Sequence, residues 1–414
     1  MQLIVCTRVS TPVLDYRNAA PIYQQWYDLR HKWWHLHPVH TEMPDPLTLR
    51  VSYTPEQLAQ VQESIEGDPD AVSLLHQATA APYLVVHAGK YAFSAQVREA
   101  AREIKSESYL LAHRGSYSRA VSVQASCLNI ARQCAGSSTL IGYWTGSAIE
   151  TMSLKGFQEI LSMAGPNQAV DDQVEDTLRK NLPVLSLRHF LIGGICEYVA
   201  TFDTARGHLP EFISDNVQGD GTQPASKWEE ITPDQSRFLS NLADAAEARY
   251  LQQHIVLIDA VDMPAAARAS VFSGIDTQNG IAQDGMLSGK DIVCTLSGGI
   301  IITDAKNDRD EKLLRATEQV TLAAAALLSM RAKSGVFPGS LPGMFIDPFN
   351  GKLLGYTVNG ETGFVVYSVG QTGTYDGKMP NNNEADYRYP ASAPVPVPQT
   401  TRNLPTPRVS HVLY

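Results

Sequence analysis

Apolar positions spaced alternately three and four apart run through most of the chain, and this pattern predicts helices. It is sharpest near the C-terminus, where Leu313, Ala316, Val320, Ala323, Leu327 and Met330 share one helical face. Asn307 is placed to cap that helix, with Asp308, Asp310 and Glu311 at its positive end. Glu311 and Arg315 fall at i and i+4 and read as an exposed pair. Arg331, Lys333 and Gly335 mark its close, and Pro338, Pro342 and Pro348 forbid its continuation. Residues 352–358 then alternate and residues 363–369 run apolar. Asn359-Gly360 between them predicts a β-hairpin. Its inner face is either Phe364, Val366 and Ser368 or Val365, Tyr367 and Val369; the pattern leaves both open.

Earlier segments read the same way. A helix spans Asn18 to Arg30, with Ile22, Trp26 and Leu29 on one face and Pro21 in the first turn. Thr54, Pro55 and Gln57 form a capping-box signature for a helix to about Glu66. Asp68-Pro69 opens another, burying Val72, Leu75 and Ala78, and residues 82–90 read as an extended link. From Ser94 to about Gly165 three helices fit, broken near His113–Ser116 and at Gly136. Leu140, Trp144, Ala148, Met152 and Ile160 form a buried face on the third, and Gly142 and Gly146 thin it for close packing. Asp171, Asp172, Glu175 and Asp176 read as a solvated face. Leu185 to Phe202 is apolar enough for a central helix. Residues 207–231 read as a long loop, and Thr232, Pro233 and Gln235 start a helix to about Val261, with Phe238, Leu242, Ala245, Ala246, Tyr250, His254 and Leu257 on its face. A shorter helix follows to Phe272, then a loop over 274–290 and a second hairpin over 292–303.

The fold class is therefore mainly α: an irregular helical-hairpin body, then a long helix and a small antiparallel β module. Four segments follow: 1–53, with one helix and a His/Trp-rich stretch; 54–275, all helical; 276–378, long helix and hairpin; and 379–414, a Pro/Asn-rich tail. The tail holds few aliphatics and is expected to be mostly disordered, with Tyr387 and Tyr389 able to meet a partner in extended form.

Several stretches carry a resemblance. Leu111, Ala112, Gly115, Tyr117 and Ala120 resemble the turn between paired helices of a tetratricopeptide-like unit, although no second copy recurs. "FPGSL", "DPFNGKLLGY" and "GFVVYSVGQTGTYDG" resemble the C-terminal segment of uncharacterised envelope proteins of planctomycete-type bacteria. "NAAPIYQQ" and "STLIGYWTGSAIETMSLKGFQEIL" extend that likeness. The same C-terminal layout is similar to the globular head of the major pseudopilin of type II secretion, through Pro338, Leu341, Asp347, Pro348, Gly351, Tyr356, Tyr367, Ser368, Gly370, Asp376 and Gly377. The resemblance implies a docking or structural module. It also implies calcium at the terminal loop, but here the loop from Gly370 to Lys378 offers one carboxylate, Asp376, which Asp347 and carbonyls would have to supplement toward the six to eight oxygens calcium takes; the competing reading is two turn-forming aspartates.

Composition narrows the function classes. The 414 residues are 43% hydrophobic, enough for a sizeable core. A net charge of −10 with no basic cluster argues against a nucleic-acid partner. The five cysteines show no Cys-x-x-Cys, so they signal neither a disulfide framework nor a zinc ribbon. No apolar run is long enough to span a membrane. The related proteins carry an N-terminal membrane helix; location is on the envelope or periplasmic side if an upstream anchor is missing from this chain, and cytoplasmic otherwise.

Candidate chemistry is sparse. His31, His35, His37 and His40 fall within ten residues, and His31 and His35 sit i, i+4, the spacing of a transition-metal site on a helix. The competing reading is an aromatic-rich segment with histidines at its rim. His189 and Glu197 lie two turns apart on one expected helix, and His254 is a further candidate for acid–base work. "GMLSGKD" fails as a phosphate loop, having three residues between Gly285 and Gly289 and Asp291 where a hydroxyl is needed. No nucleophile elbow, His-Glu-x-x-His or dinucleotide fingerprint occurs. The sequence thus favours a non-catalytic scaffold or interaction protein of bacterial envelope type. The alternative is a metal-dependent hydrolase built on the histidine cluster.

Overall fold

The computed structural model describes residues 17–36, 53–84, 92–136, 140–195, 199, 233–287, 304–360, 363–371, 373 and 385–389. Its helices are α1 (Ala19–Leu36), α2 (Pro55–Glu66), α3 (Pro69–Ala80), α4 (Ala92–His113), α5 (Tyr117–Ala135), α6 (Leu140–Ala164), α7 (Gln168–Asn181), α8 (residues 187–195), α9 (Pro233–Ala260), α10 (Ala265–Leu287) and α11 (Asp304–Ser334). Strands β1 (Gly355–Asn359), β2 (Gly363–Tyr367) and β3 (Asp386–Tyr389) form one antiparallel sheet with β2 in the centre. The fold is mainly α with a small C-terminal β module, as the periodicity predicts. The residues of the expected second hairpin, 292–303, lie outside the described residues.

Local chemistry explains the boundaries. At α2 the Thr54 side chain accepts from Gln57 N–H while the Gln57 side chain accepts from Thr54 N–H, a complete capping box. Asp68 and Asn167 cap α3 and α7 in the simpler way. Between α4 and α5, Gly115 adopts φ +75°, and Ser116 N–H reaches back to Leu111 O at 2.8 Å. The turn therefore rests on glycine's access to the left-handed region. Ser108 Oγ then donates to Ala120 O, drawing the two helices together.

Helices α5 and α6 form a wall with a core on each side. One face packs Cys127, Ile130, Ala131, Cys134, Ile149 and Met152 against α1, α3 and α4, around Tyr23, Trp26 and Leu75. The other packs Leu128, Leu154, Phe157 and Leu161 against α7–α11 and the sheet. Two glycines permit the wall. A Cβ on Gly146 would meet Ala131 O at 3.0 Å, and one on Gly156 would overlap the Gln124 amide at 2.4 Å. Cys127 and Cys134 are buried, with both thiols pushed up to about 12 by burial.

Helix α11 is interior. Every residue from Val320 to Ser329 is buried, as expected of a helix surrounded by others. It packs on α6, α7 and α10, and its end leads through residues 335–354 into the sheet. Of the two possible inner faces of the hairpin, Phe364, Val366 and Ser368 is the buried one. Phe364 centres a group of rings, with Phe337 at 5.0 Å, Tyr387 at 5.8 Å, and Tyr356 and Tyr389 at 6.1 Å.

Several expectations are corrected. The segment expected to be a disordered tail supplies β3, because Ala385, Tyr387 and the register with β2 complete the buried ring cluster. The expected loop over 274–290 is helical as far as Leu287. α11 begins at Asp304, so Asn307 is not its cap but a buried residue in its first turn. Met330, Trp144 and Leu29, expected inside, are substantially exposed, and Ala245 is too. In α1 the buried stripe is Ala19, Tyr23, Trp26 and Arg30, so the arginine takes the place expected of Leu29.

Candidate functional site

The histidine-rich stretch begins on α1, which continues to Leu36. His31 and His35 therefore lie one turn apart on a helix, both exposed, with rings edge-on at 4.4 Å. Tyr27 flanks them, its ring 5.8 Å from that of His31. His37 and His40 lie outside the described residues. Among the described residues no three His, Cys, Asp or Glu side chains converge as a metal set.

Behind this pair, on the buried side of α1, Arg30 gathers polar partners from three other helices. Its Nε donates to Glu103 at 2.8 Å, Nη1 to Ser64 O at 2.9 Å and Nη2 to Ser64 Oγ at 2.6 Å, with Asp68 3.7 Å away. The guanidinium also lies over the Trp33 and Trp34 rings. α1, α2, α3 and α4 meet at this one side chain. Burial pushes the Glu103 carboxyl up to about 7, against the opposing pull of Arg30. Position decides the role, because Arg30 follows Trp26 by four residues on the buried stripe.

A second polar cluster lies between α6, α10 and α11. Arg315 reaches Glu318, Glu311 and the Leu185 carbonyl, and stands 3.9 Å from Glu150. Arg268 pairs with Asp308 and lies 3.5 Å from Glu311, and Lys312 pairs with Asp308 at 2.7 Å. Trp144 Nε1 donates to Asn307 Oδ1 at 3.2 Å. Glu311 and Arg315, expected to be an exposed pair, are mostly covered here, since α8 and α10 pack over them. Periodicity missed this cluster because a charged i, i+4 pair is written alike whether water or another helix faces it.

Asp347 sits in the loop before β1 and is wholly buried. Its Oδ1 accepts from Phe349 N–H and Ser368 Oγ–H, both at 3.0 Å, and its Oδ2 accepts from Val369 N–H at 2.8 Å. Its own backbone bonds Lys352 and Gly351. The carboxylate thus pins the Asp-Pro-Phe loop to the end of β2. This corresponds to turn chemistry, with the donors where a cation would have to sit. Asp376, its expected companion in a calcium site, lies outside the described residues.

The remaining candidates are dispersed. His189 is exposed on α8, and Glu197 lies outside the described residues. His254 is buried against the Tyr250 ring at 3.9 Å, with Nδ1 3.1 Å from Tyr250 O, and burial lowers it to about 4, so it is neutral. Asp171, expected on a solvated face, is wholly buried and accepts from Asn167 N–H; burial pushes it up to about 7. Its neighbour Asp172 does face outward and bonds Ser329 and Lys333 of α11. Among the described residues no helix is long and apolar enough to cross a membrane. Comparison with protein-family models, with curated proteins and with solved structures returned no match for this chain.

Proposed function

We propose that the chain is a non-catalytic helical scaffold or interaction protein of bacterial envelope type, with a pseudopilin-like C-terminal module as its contact surface. The observation that carries this reading is a group of exposed apolar side chains on the C-terminal module. Val336, Met344, Ile346, Leu353 and Val358 all stand out from the C-terminal module, and Ile346 and Leu353 are direct partners across an isolated β-bridge. In the helical body, by comparison, buried Arg30, Lys105 and Asp308 are engaged in ion pairs. The order of helix, Asp-Pro-Phe-Asn-Gly loop and hairpin supports the likeness to the pseudopilin head. The test places a photo-crosslinking residue at Met344 in the source cells and fractionates them. The expected result is one discrete adduct in the envelope fraction. Protein confined to the soluble fraction, with no adduct, overturns the reading.

A second reading is favoured by the paired exposed rings of His31 and His35: a metal-dependent hydrolase, with His37 and His40 completing its ligands. It requires ester or phosphoester hydrolysis that rises with added zinc and vanishes in His31→Ala/His35→Ala.

A further inference from the structure

The cluster between α6, α10 and α11 has an electrical imbalance. Among its described members three cations, Arg268, Lys312 and Arg315, face four carboxylates, Asp308, Glu311, Glu318 and Glu150. Glu150 is the most confined, being wholly buried on α6. Arg315, the cation nearest it in the network, already serves Glu318 and the Leu185 carbonyl. Among the described residues the Val184 N–H is the ordinary donor directed at Glu150, and neither carboxylate oxygen meets full hydrogen-bond geometry. Glu318, itself buried, faces it from α11 across the same Arg315 Nη1, which stands 3.9 Å from Glu150. Two carboxylates in contact, away from water, do not both stay ionised.

We propose that the α6–α11 seam holds one proton between Glu150 and Glu318, and that its release at rising pH loosens α11 from the helical body. The proton balances the cluster and places a donor between the two carboxyls. Burial is the main cause raising both carboxyls above their usual range. The other groups facing the pair are Arg132 from α5, Tyr143 from α6, the Val184 N–H, and Glu311 and Arg315 from α11. None of these supplies a second buried cation. The consequence reaches beyond the seam. Arg315 and Glu311 also hold Leu185 O and Leu187 N–H, so the start of α8 is fastened to the same helix. The same helix carries the sheet at its far end.

The sign follows from linkage. Both folded-state values are raised, so the native chain binds more protons than the unfolded one. The stability gained is complete below the ordinary glutamate range and is lost as pH rises through the folded values.

The test compares the full chain with Glu318→Gln and Glu150→Gln across neutral to alkaline pH. Amide exchange of residues 311–322 is read relative to an unstructured peptide. In the wild type, protection is expected to fall by up to about tenfold per pH unit as pH rises toward the folded values and to level off above them, the dependence of releasing one proton. In Glu318→Gln, whose amide donates at every pH, protection is expected to stay level. Infrared spectra in a Glu103→Gln/Asp171→Asn background, where those two raised carboxyls no longer contribute, provide a second readout. A protonated-carboxyl band is expected at neutral pH and disappears on alkalinisation. Absence of that band, or the same exchange profile in wild type and Glu318→Gln, overturns the proposal.

Discussion

The Tyr387 and Ser162 hydroxyls meet at 3.1 Å, joining positions 225 apart in the chain. The contact fastens β3 to α6, and Tyr387 is buried between them. Tyr387→Ala is expected to cost about 3 kcal/mol, the scale for removing a buried aromatic ring. Tyr387→Phe removes only the hydrogen bond and is expected to cost about 1 kcal/mol. Urea unfolding measures both. Equal stability for Tyr387→Ala and wild type would mean that β3 is dispensable.

Arg30 is expected to be the most sensitive position in the N-terminal half. Arg30→Ala strands Glu103 without its buried counter-charge and should cost about 3–5 kcal/mol. Arg30→Met combined with Glu103→Leu should recover much of the loss, since it removes both charges. Glu103 also imposes a pH dependence. Its folded value, about 7, lies above the ordinary 4.5, so its contribution is complete below 4.5 and fades as pH rises through 7. Glu103→Gln should flatten that part of the thermal-stability profile.

Two helical glycines should respond oppositely to alanine. At Gly156 a methyl group would overlap the Gln124 amide, and a loss of about 1–3 kcal/mol is expected from overpacking. At Gly274 no atom lies within 4 Å of the added methyl, and a gain of about 0.5–1 kcal/mol is expected from reduced chain entropy. Differential scanning calorimetry of the two variants checks the contrast. A stabilised Gly156→Ala would show that α5 and α6 are not so closely packed there.

Asp347→Ala leaves Phe349 N–H, Val369 N–H and Ser368 Oγ–H without their acceptor. The expected cost is about 3 kcal/mol, and Asp347→Asn should cost less by keeping an acceptor oxygen. Melting temperature with and without calcium separates this role from ligation. The hydrogen-bonded arrangement predicts no shift on adding the ion.

Much of the architecture is legible because it is written in short-range chemistry. Gly115, the Thr54–Gln57 box and the changed periodicity around Asn359-Gly360 each dictate a turn or an end within a few residues. The helical ranges of α4, α5 and α6 follow from such marks. What escapes is decided by distant partners. Arg30 and Glu150 are polar residues on stripes that tertiary packing closes, and no local feature distinguishes them from solvated ones. Likewise, β3 has no aliphatic run; Tyr387 becomes core because Phe364 and Ser162 await it. The candidate site was legible only in part. The spacing of His31 and His35 correctly places both on one helix, while the polar clusters around Arg30 and Arg315 lay outside any motif.

The proposed scaffold function requires that the polar clusters around Arg30 and Arg315 hold helices together and that His31 and His35 carry no catalytic metal. Elemental analysis of the purified full chain, beside His31→Ala/His35→Ala, tests it most directly. Substoichiometric zinc, iron and nickel in both proteins is the expected result. One equivalent of any of these metals in the wild type, lost in the double variant, would contradict it.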